Sequence, residues 1–248
     1  MPPIALNFMQ FKRTAALCLA LAQVATASVD YTERVNVFLG TNSAAQCSPA
    51  AIRPFGMVSP GPLNSPHEPC GYANRKHDLF GFNHTHLQGT GCGSYGLIVL
   101  LPTTGNQELG TTVKCLPQQQ FAEPGYYKAE LKATGITAEM TCTKRVALHR
   151  YAFPESDSAR VLIDLSRGVH WASHRPGSMQ GELRQVDPQT LAGVAHTSAW
   201  REHSVYFYMQ FSKPVTFLGS EGKGGHVALS TDEGEALLVK VGISYVSE

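Results

Sequence analysis

"ITAEMTCTKRVALHRYAF", residues Ile136–Phe153, decides how the chain is read. Its first half alternates strictly: Ala138, Met140 and Cys142 fall on one face, Thr137, Glu139, Thr141 and Thr143 on the other. Successive side chains of a strand point to opposite faces, so a period of two marks a half-buried β-strand. The stretch predicts the first arm of a hairpin. Further out, β-branched and aromatic residues dominate "ARVLIDLS" (159–166), "SVYFYMQF" (204–211), "HVALS" (226–230) and "EALLVKVGISYV" (235–246), which suits a pleated surface. "GLIVLLP", Gly96–Pro102, is a shorter apolar run that its proline is expected to end. Gly and Pro punctuate the gaps. No segment after the N-terminal apolar run shows a strong helical repeat, so the crossover helices of a parallel sheet are missing. An all-β, antiparallel β-sandwich is expected. The stretch Gly40–Pro69 is irregular and rich in Pro, Ser and Asn, as function-bearing loops are.

Composition narrows the function classes. The chain has 248 residues, 43% hydrophobic and 16% charged, with net charge +1. That is enough apolar material for a core, and no Lys/Arg block draws it to nucleic acid or an anionic membrane. Lys12 and Arg13 precede the apolar run Thr14–Ala27, which ends in the small residues Ala25, Thr26 and Ala27. This pattern predicts a secretory signal peptide over 1–27 and a mature domain over 28–248, secreted or periplasmic. The run is too short to span a bilayer, and no later segment is expected to cross one. Cys18 would leave with the signal; Cys47, Cys70, Cys92, Cys115 and Cys142 allow at most two disulfides, with connectivity open.

The chemistry concentrates in "GFNHTHLQGTGCGSYG", Gly81–Gly96. On a strand His84 and His86 would share a face and could share a metal. Zinc needs a third protein ligand; Cys92 could reach, which only the tertiary structure can show. Histidines satisfied in a polar pocket are the competing reading, and no metal site is assigned. "GTGCG", Gly89–Gly93, lacks the Lys-Ser/Thr of a phosphate-binding loop but allows close backbone approach to a ligand. Cys92 could act as a nucleophile with His84 or His86 as base, or sit inert in a tight turn. The carboxylates Asp78, Glu123, Glu139, Asp164 and Glu202 are scattered and form no local acid–base pair; Asp164 is expected to end a strand and hydrogen-bond there. Trp171, Trp200 and Tyr72 offer surfaces on which a sugar could stack or a core could pack.

Six segments then occur in order: "YTERVNVFLGT" (31–41), "RPFGMVSPGP" (53–62), "GYANRKHDLFGFNHTHLQGTGCGSYGLIVLLPTTG" (71–105), "PGYYKAEL" (124–131), "ITAEMTCTKRVALHRYAFP" (136–154) and "VLIDL" (161–165). Together they resemble the N-terminal domain of glycoside hydrolase family 92, the calcium-dependent, exo-acting α-mannosidases. The resemblance covers Tyr31–Glu248 and implies a β-sandwich of galactose-mutarotase-like type. It also implies a C-terminal (α/α)6 barrel, which is absent from this sequence, with the active site between the two. Tyr72, His84, His86, Gly91 and Cys92 would then line the sugar pocket. No catalytic residue is expected in this chain, because the acid, the base and the calcium-holding groups come mainly from the helical domain. The implied partners are that domain and a mannose-containing glycan, as in N-glycan processing. A stand-alone carbohydrate-binding module is the alternative. The sequence departs from the family pattern at Val37, at "PAA" (49–51), at Gln88 where serine is usual, and at "GSYG" (93–96).

Overall fold

The computed structural model describes residues 30–42, 46–89, 95–169, 178–198, 202–220 and 222–248. The chain divides between Arg34 and Val35 into two compact units. In the first, Tyr31–Arg34 form one 3-10 turn, and the Asp30 carboxylate accepts from the Thr32 amide and hydroxyl at 2.9 and 2.6 Å. The segment 1–27, read above as a signal peptide, lies outside the described residues.

The second unit is β throughout, and the described residues contain no α-helix. Its strands in chain order are β1 (Gly61–Leu63), β2 (Asp78–Leu79), β3 (Gly81–Asn83), β4 (Val99–Thr104), β5 (Val113–Lys114), β6 (Gln120–Glu123), β7 (Tyr126–Leu131), β8 (Ile136–Cys142), β9 (Val146–Ala152), β10 (Ser156–Asp164), β11 (Met179–Asp187), β12 (Thr190–Thr197), β13 (His203–Phe211), β14 (Thr216–Ser220), β15 (Gly224–Thr231) and β16 (Ala236–Ser244). A six-stranded sheet runs β1-β3-β4-β10-β15-β14, and an eight-stranded sheet runs β11-β12-β13-β16-β9-β8-β7-β6. β2 and β5 pair separately. The pairings are antiparallel, as the missing crossovers require.

The stretch that opened the reading is the β8–β9 hairpin, in register from Thr137↔Ala152 to Cys142↔Ala147. Ile136, Ala138 and Met140 are buried on β8, and Ala147, His149 and Tyr151 on β9. β13 and β16 repeat the rhythm, burying Val205, Phe207, Met209 and Phe211, and Leu237, Val239, Val241 and Ile243. The core lies between the sheets. There the Phe82 ring of β3 sits 6.2 Å from the Tyr127 ring of β7 and 6.4 Å from the Tyr151 ring of β9.

One expectation is corrected. Pro102 does not end its strand, because β4 continues to Thr104. β3 pairs with β4 only at Phe82↔Leu100, so past Leu100 one side of β4 has no β3 partner. A residue without an N–H is tolerated on such an edge.

Candidate functional site

After β3 the chain is laced to the irregular early segment by its main chain. The Ser59 amide donates to the His84 carbonyl at 2.9 Å, and the Ser59 hydroxyl accepts from the His86 amide at 3.0 Å. The Ala51 amide donates to the Pro60 carbonyl at 2.8 Å, and the Gly89 amide to the Gln46 carbonyl at 2.9 Å. "NVFLGT" joins the same structure: the Cys47 amide donates to the Gly40 carbonyl at 3.2 Å and the Asn74 amide to the Thr41 carbonyl at 3.0 Å. Gly61 permits the crowding, since a Cβ there would stand 2.4 Å from the Ala50 Cβ and 3.2 Å from His86 Nε2.

Thr85 receives the chain as it returns. Its hydroxyl accepts from the Gly96 and Leu97 amides, both at 3.1 Å, and its carbonyl accepts from the Gly96 amide at 2.8 Å. The Gly-rich loop is therefore tied at Gly89 and at Gly96. Gly91 and Cys92, between the ties, lie outside the described residues, as do Trp171 and Trp200. Gln88 clamps the opposite wall: its Oε1 accepts from the Ser48 amide at 2.7 Å, and its Nε2 donates to the Ser48 carbonyl at 3.4 Å. A serine here would be too short to make both bonds, so this departure from the family pattern has a structural use.

His84 and His86 are not an open pair. His84 is fully buried, and its Nδ1–H donates to the Ile98 carbonyl at 2.6 Å. Its Nε2 is then an acceptor, and His149 Nε2–H donates to it at 2.9 Å. His149 Nδ1 in turn accepts from the Tyr151 hydroxyl at 2.9 Å. An all-neutral arrangement satisfies this chain without burying a charge. Burial drives His84 down to about 4, and it drives His149 well below the ordinary imidazole value. His86 donates from Nδ1 to the Cys70 carbonyl at 2.9 Å, while its Nε2 is buried without a hydrogen-bond partner. Burial lowers His86 to about 4 as well. Both nitrogens of His84 are engaged, so it presents no free base; His86 is half-buried, and its expected dyad partner Cys92 lies outside the described residues. Among the described residues, no group of three His, Cys, Asp or Glu side chains is arranged to hold a metal ion.

Tyr72 is 1% exposed; its hydroxyl lies 2.9 Å from Gln120 Oε1, which also accepts from the Tyr127 hydroxyl at 2.8 Å. It stands two residues from the Cys70 carbonyl that holds His86, and its own polar atom is satisfied inside the fold. Three of the five carboxylates pair with cations. Asp78 pairs with Lys114, Glu139 with Arg150, and Asp164 with Arg167. Asp164 ends β10 and accepts from the Ser166 amide at 2.9 Å, as expected for a strand-ending carboxylate.

Three residues of this region escaped the sequence reading. His149 and Tyr151 sit at inward positions of β9, where the alternation of "VALHRYA" already places them. Asn83 is fully buried with neither amide atom partnered. What emerges is a polar but uncharged surround. The segments 46–51, 58–65 and 82–89 contain no Asp, Glu, Lys or Arg.

Residues 34–244 match the Glycosyl hydrolase family 92 N-terminal domain. The chain belongs to this family. A family-92 α-mannosidase from Bacteroides thetaiotaomicron superposes with a TM-score of 0.79 at 29% identity, over 87% of this chain and 33% of that one. The same Bacteroides enzyme in complex with mannoimidazole gives a TM-score of 0.78 at 29% identity, over 87% and 32%. An "uncharacterized secreted glycosidase" of Arthroderma benhamiae is 25% identical over 222 residues, which is 83% of this chain and 28% of that protein. The chain thus spans about a third of the length of the relatives it matches. Among the described residues, no helix is long and apolar enough to cross a membrane.

Proposed function

We propose that this chain is the sugar-pocket-forming N-domain of a secreted α-mannosidase that hydrolyses terminal α-mannosides of glycans, and that it is catalytically incomplete alone. The observation that carries the reading is the backbone lacing of segments 46–51, 58–65 and 82–89, which contain no Asp, Glu, Lys or Arg, on a domain that matches family 92 over residues 34–244. Close backbone approach and neutral hydrogen-bonding groups are what mannose hydroxyls require. The mannoimidazole complex of the Bacteroides relative supports a mannose-type ligand.

Glycoside hydrolysis by inversion needs an acid at the leaving oxygen and a base that activates water on the opposite face. Asp78, Glu139 and Asp164 each pair with a cation, and none of the scattered carboxylates of this chain is assigned to that pair. Acid and base are assigned to the length of the relatives that this chain does not match. Calcium is assigned to the same part, because the described residues offer no ligand set that fits it.

The test is purified 28–248 with a chromogenic α-mannoside, with calcium added or chelated. No turnover is expected in either condition, with weak mannose binding retained. Calcium-dependent turnover that follows the folded protein would overturn the reading.

A further inference from the structure

We propose that Tyr151 and His149, acting through His84, are positioning residues: they hold Ile98 in its left-handed conformation and so set where the 89–96 loop re-enters the six-stranded sheet. The role assigned to the loop rests on its reading as a sugar wall.

Ile98 has φ +60, and it is fully buried. A β-branched residue at positive φ is a genuine outlier, because its Cβ crowds its own backbone. Gly96, two residues earlier, has φ +87. The returning chain therefore turns through two left-handed residues on either side of Leu97. Glycine takes that conformation unaided, whereas isoleucine must be held. What holds it is visible. The Ile98 carbonyl accepts from His84 Nδ1–H at 2.6 Å, and the His84 amide donates to the Leu97 carbonyl at 3.1 Å. His84 can donate from Nδ1 only while Nε2 is the acceptor. His149 fixes that tautomer by donating to Nε2 at 2.9 Å, and Tyr151 fixes His149 by donating to its Nδ1 at 2.9 Å.

The direction of the chain matters. The Ile98 carbonyl can only accept, so it requires the proton on His84 Nδ1, and in the neutral chain each bond then sets the next as far as the Tyr151 hydroxyl. A buried polar group that loses its partner costs more than the bond contributed, so this file is either complete or a liability. Filling the same space with apolar side chains would avoid that liability. Placing three polar residues in line from β9 to Ile98 gives directional control of one peptide group at the foot of the loop.

Two measurements on 28–248 test this. Ring nitrogen NMR should find His84 protonated on Nδ1 and His149 on Nε2. A wild-type His84 that carries its proton on Nε2 would overturn the proposal outright. Amide hydrogen exchange then compares Tyr151→Phe with Ile136→Val, a conservative change in the buried core at the start of β8. In Tyr151→Phe, the Gly96 and Leu97 amides should exchange about tenfold faster beyond any change shared with Phe207 and Met209 of β13, the size expected for one lost buried hydrogen bond. Ile136→Val should move all four amides together. If Tyr151→Phe also moves them together, the residues are ordinary core and the proposal fails. A parallel titration with methyl α-mannoside separates the two readings. Absence of sugar binding in a wild-type protein whose loop amides respond as expected sinks the sugar wall and leaves the positioning chain standing.

Discussion

Along β13, Val205, Phe207, Met209 and Phe211 face the core while Tyr206, Tyr208 and Gln210 face outward. From Gln46 to Gly89 no such rhythm exists. That stretch has the short strands β1, β2 and β3, positive φ at Gln46 and Phe55, and buried polar atoms on Ser48, Asn83 and His86 without partners. The eight-stranded sheet is stabilised by apolar area, which is non-directional and spread over many residues. The rim is held by single hydrogen bonds between groups removed from water, where one lost partner carries a full desolvation cost. Order in the first region is redundant; in the second it is not. The contrast explains how one domain can present a soft polar rim on a rigid apolar base.

The comparison is most exposed to a test in the core. Phe207→Ala removes a 1%-exposed ring from β13, and its two neighbours in the sheet stay paired. The expected loss is about 3–5 kcal/mol in urea unfolding, with both regions unfolding together. A loss below about 1 kcal/mol, under the usual cost of even a conservative core truncation, would mean that the sheet is not the base on which the rim stands.

Acid should act on the rim instead. His84, His86 and His149 are neutral when folded, with values depressed below the ordinary 6.5, to about 4 for the first two. Unfolding lets them take protons. Their stabilisation is therefore complete above about pH 6.5 and is lost as the pH falls towards 4. His84 alone should cost about 2 kcal/mol between pH 6.5 and 5, a window in which ordinary carboxylates stay ionised. Urea midpoints across that window check it. A flat profile would show that these histidines are hydrated.

Smaller effects sharpen the contrast. Gln88→Ser breaks the two bonds to the Ser48 peptide and should cost about 1 kcal/mol, read as a lowered melting temperature. An unchanged value would mean that the clamp contributes no stability. Lys114→Ala removes an exposed ion pair with Asp78 on the small β2–β5 ribbon, and its effect should stay within about 0.5 kcal/mol.

Legibility followed the same divide. β8, β13 and β16 could be read from alternation because each has one wet face and one dry one. β11 escaped because it is an edge strand whose "ELRQVD" half is largely exposed and offers no dry face to count. β12 escaped because "TLAGVAHT" is buried at nearly every position, so no alternation marks it. Within the candidate site, the spacing of "HTHLQG" suggested an open pair of imidazoles. The fold instead gives His84 to His149 and His86 to Cys70.

By itself the sequence determined an antiparallel β fold and the family whose motifs it carries. These depend on local periodicity and on the order of residues along one strand of chain. Only the tertiary structure decided that Ile98 is left-handed, that His149 and Tyr151 reach it through His84, and that Gln88 clamps Ser48. His149 lies 65 residues from His84, and Gln88 lies 40 from Ser48. A hydrogen bond depends on distance and angle between two atoms, and nothing in the local sequence of either partner specifies the other.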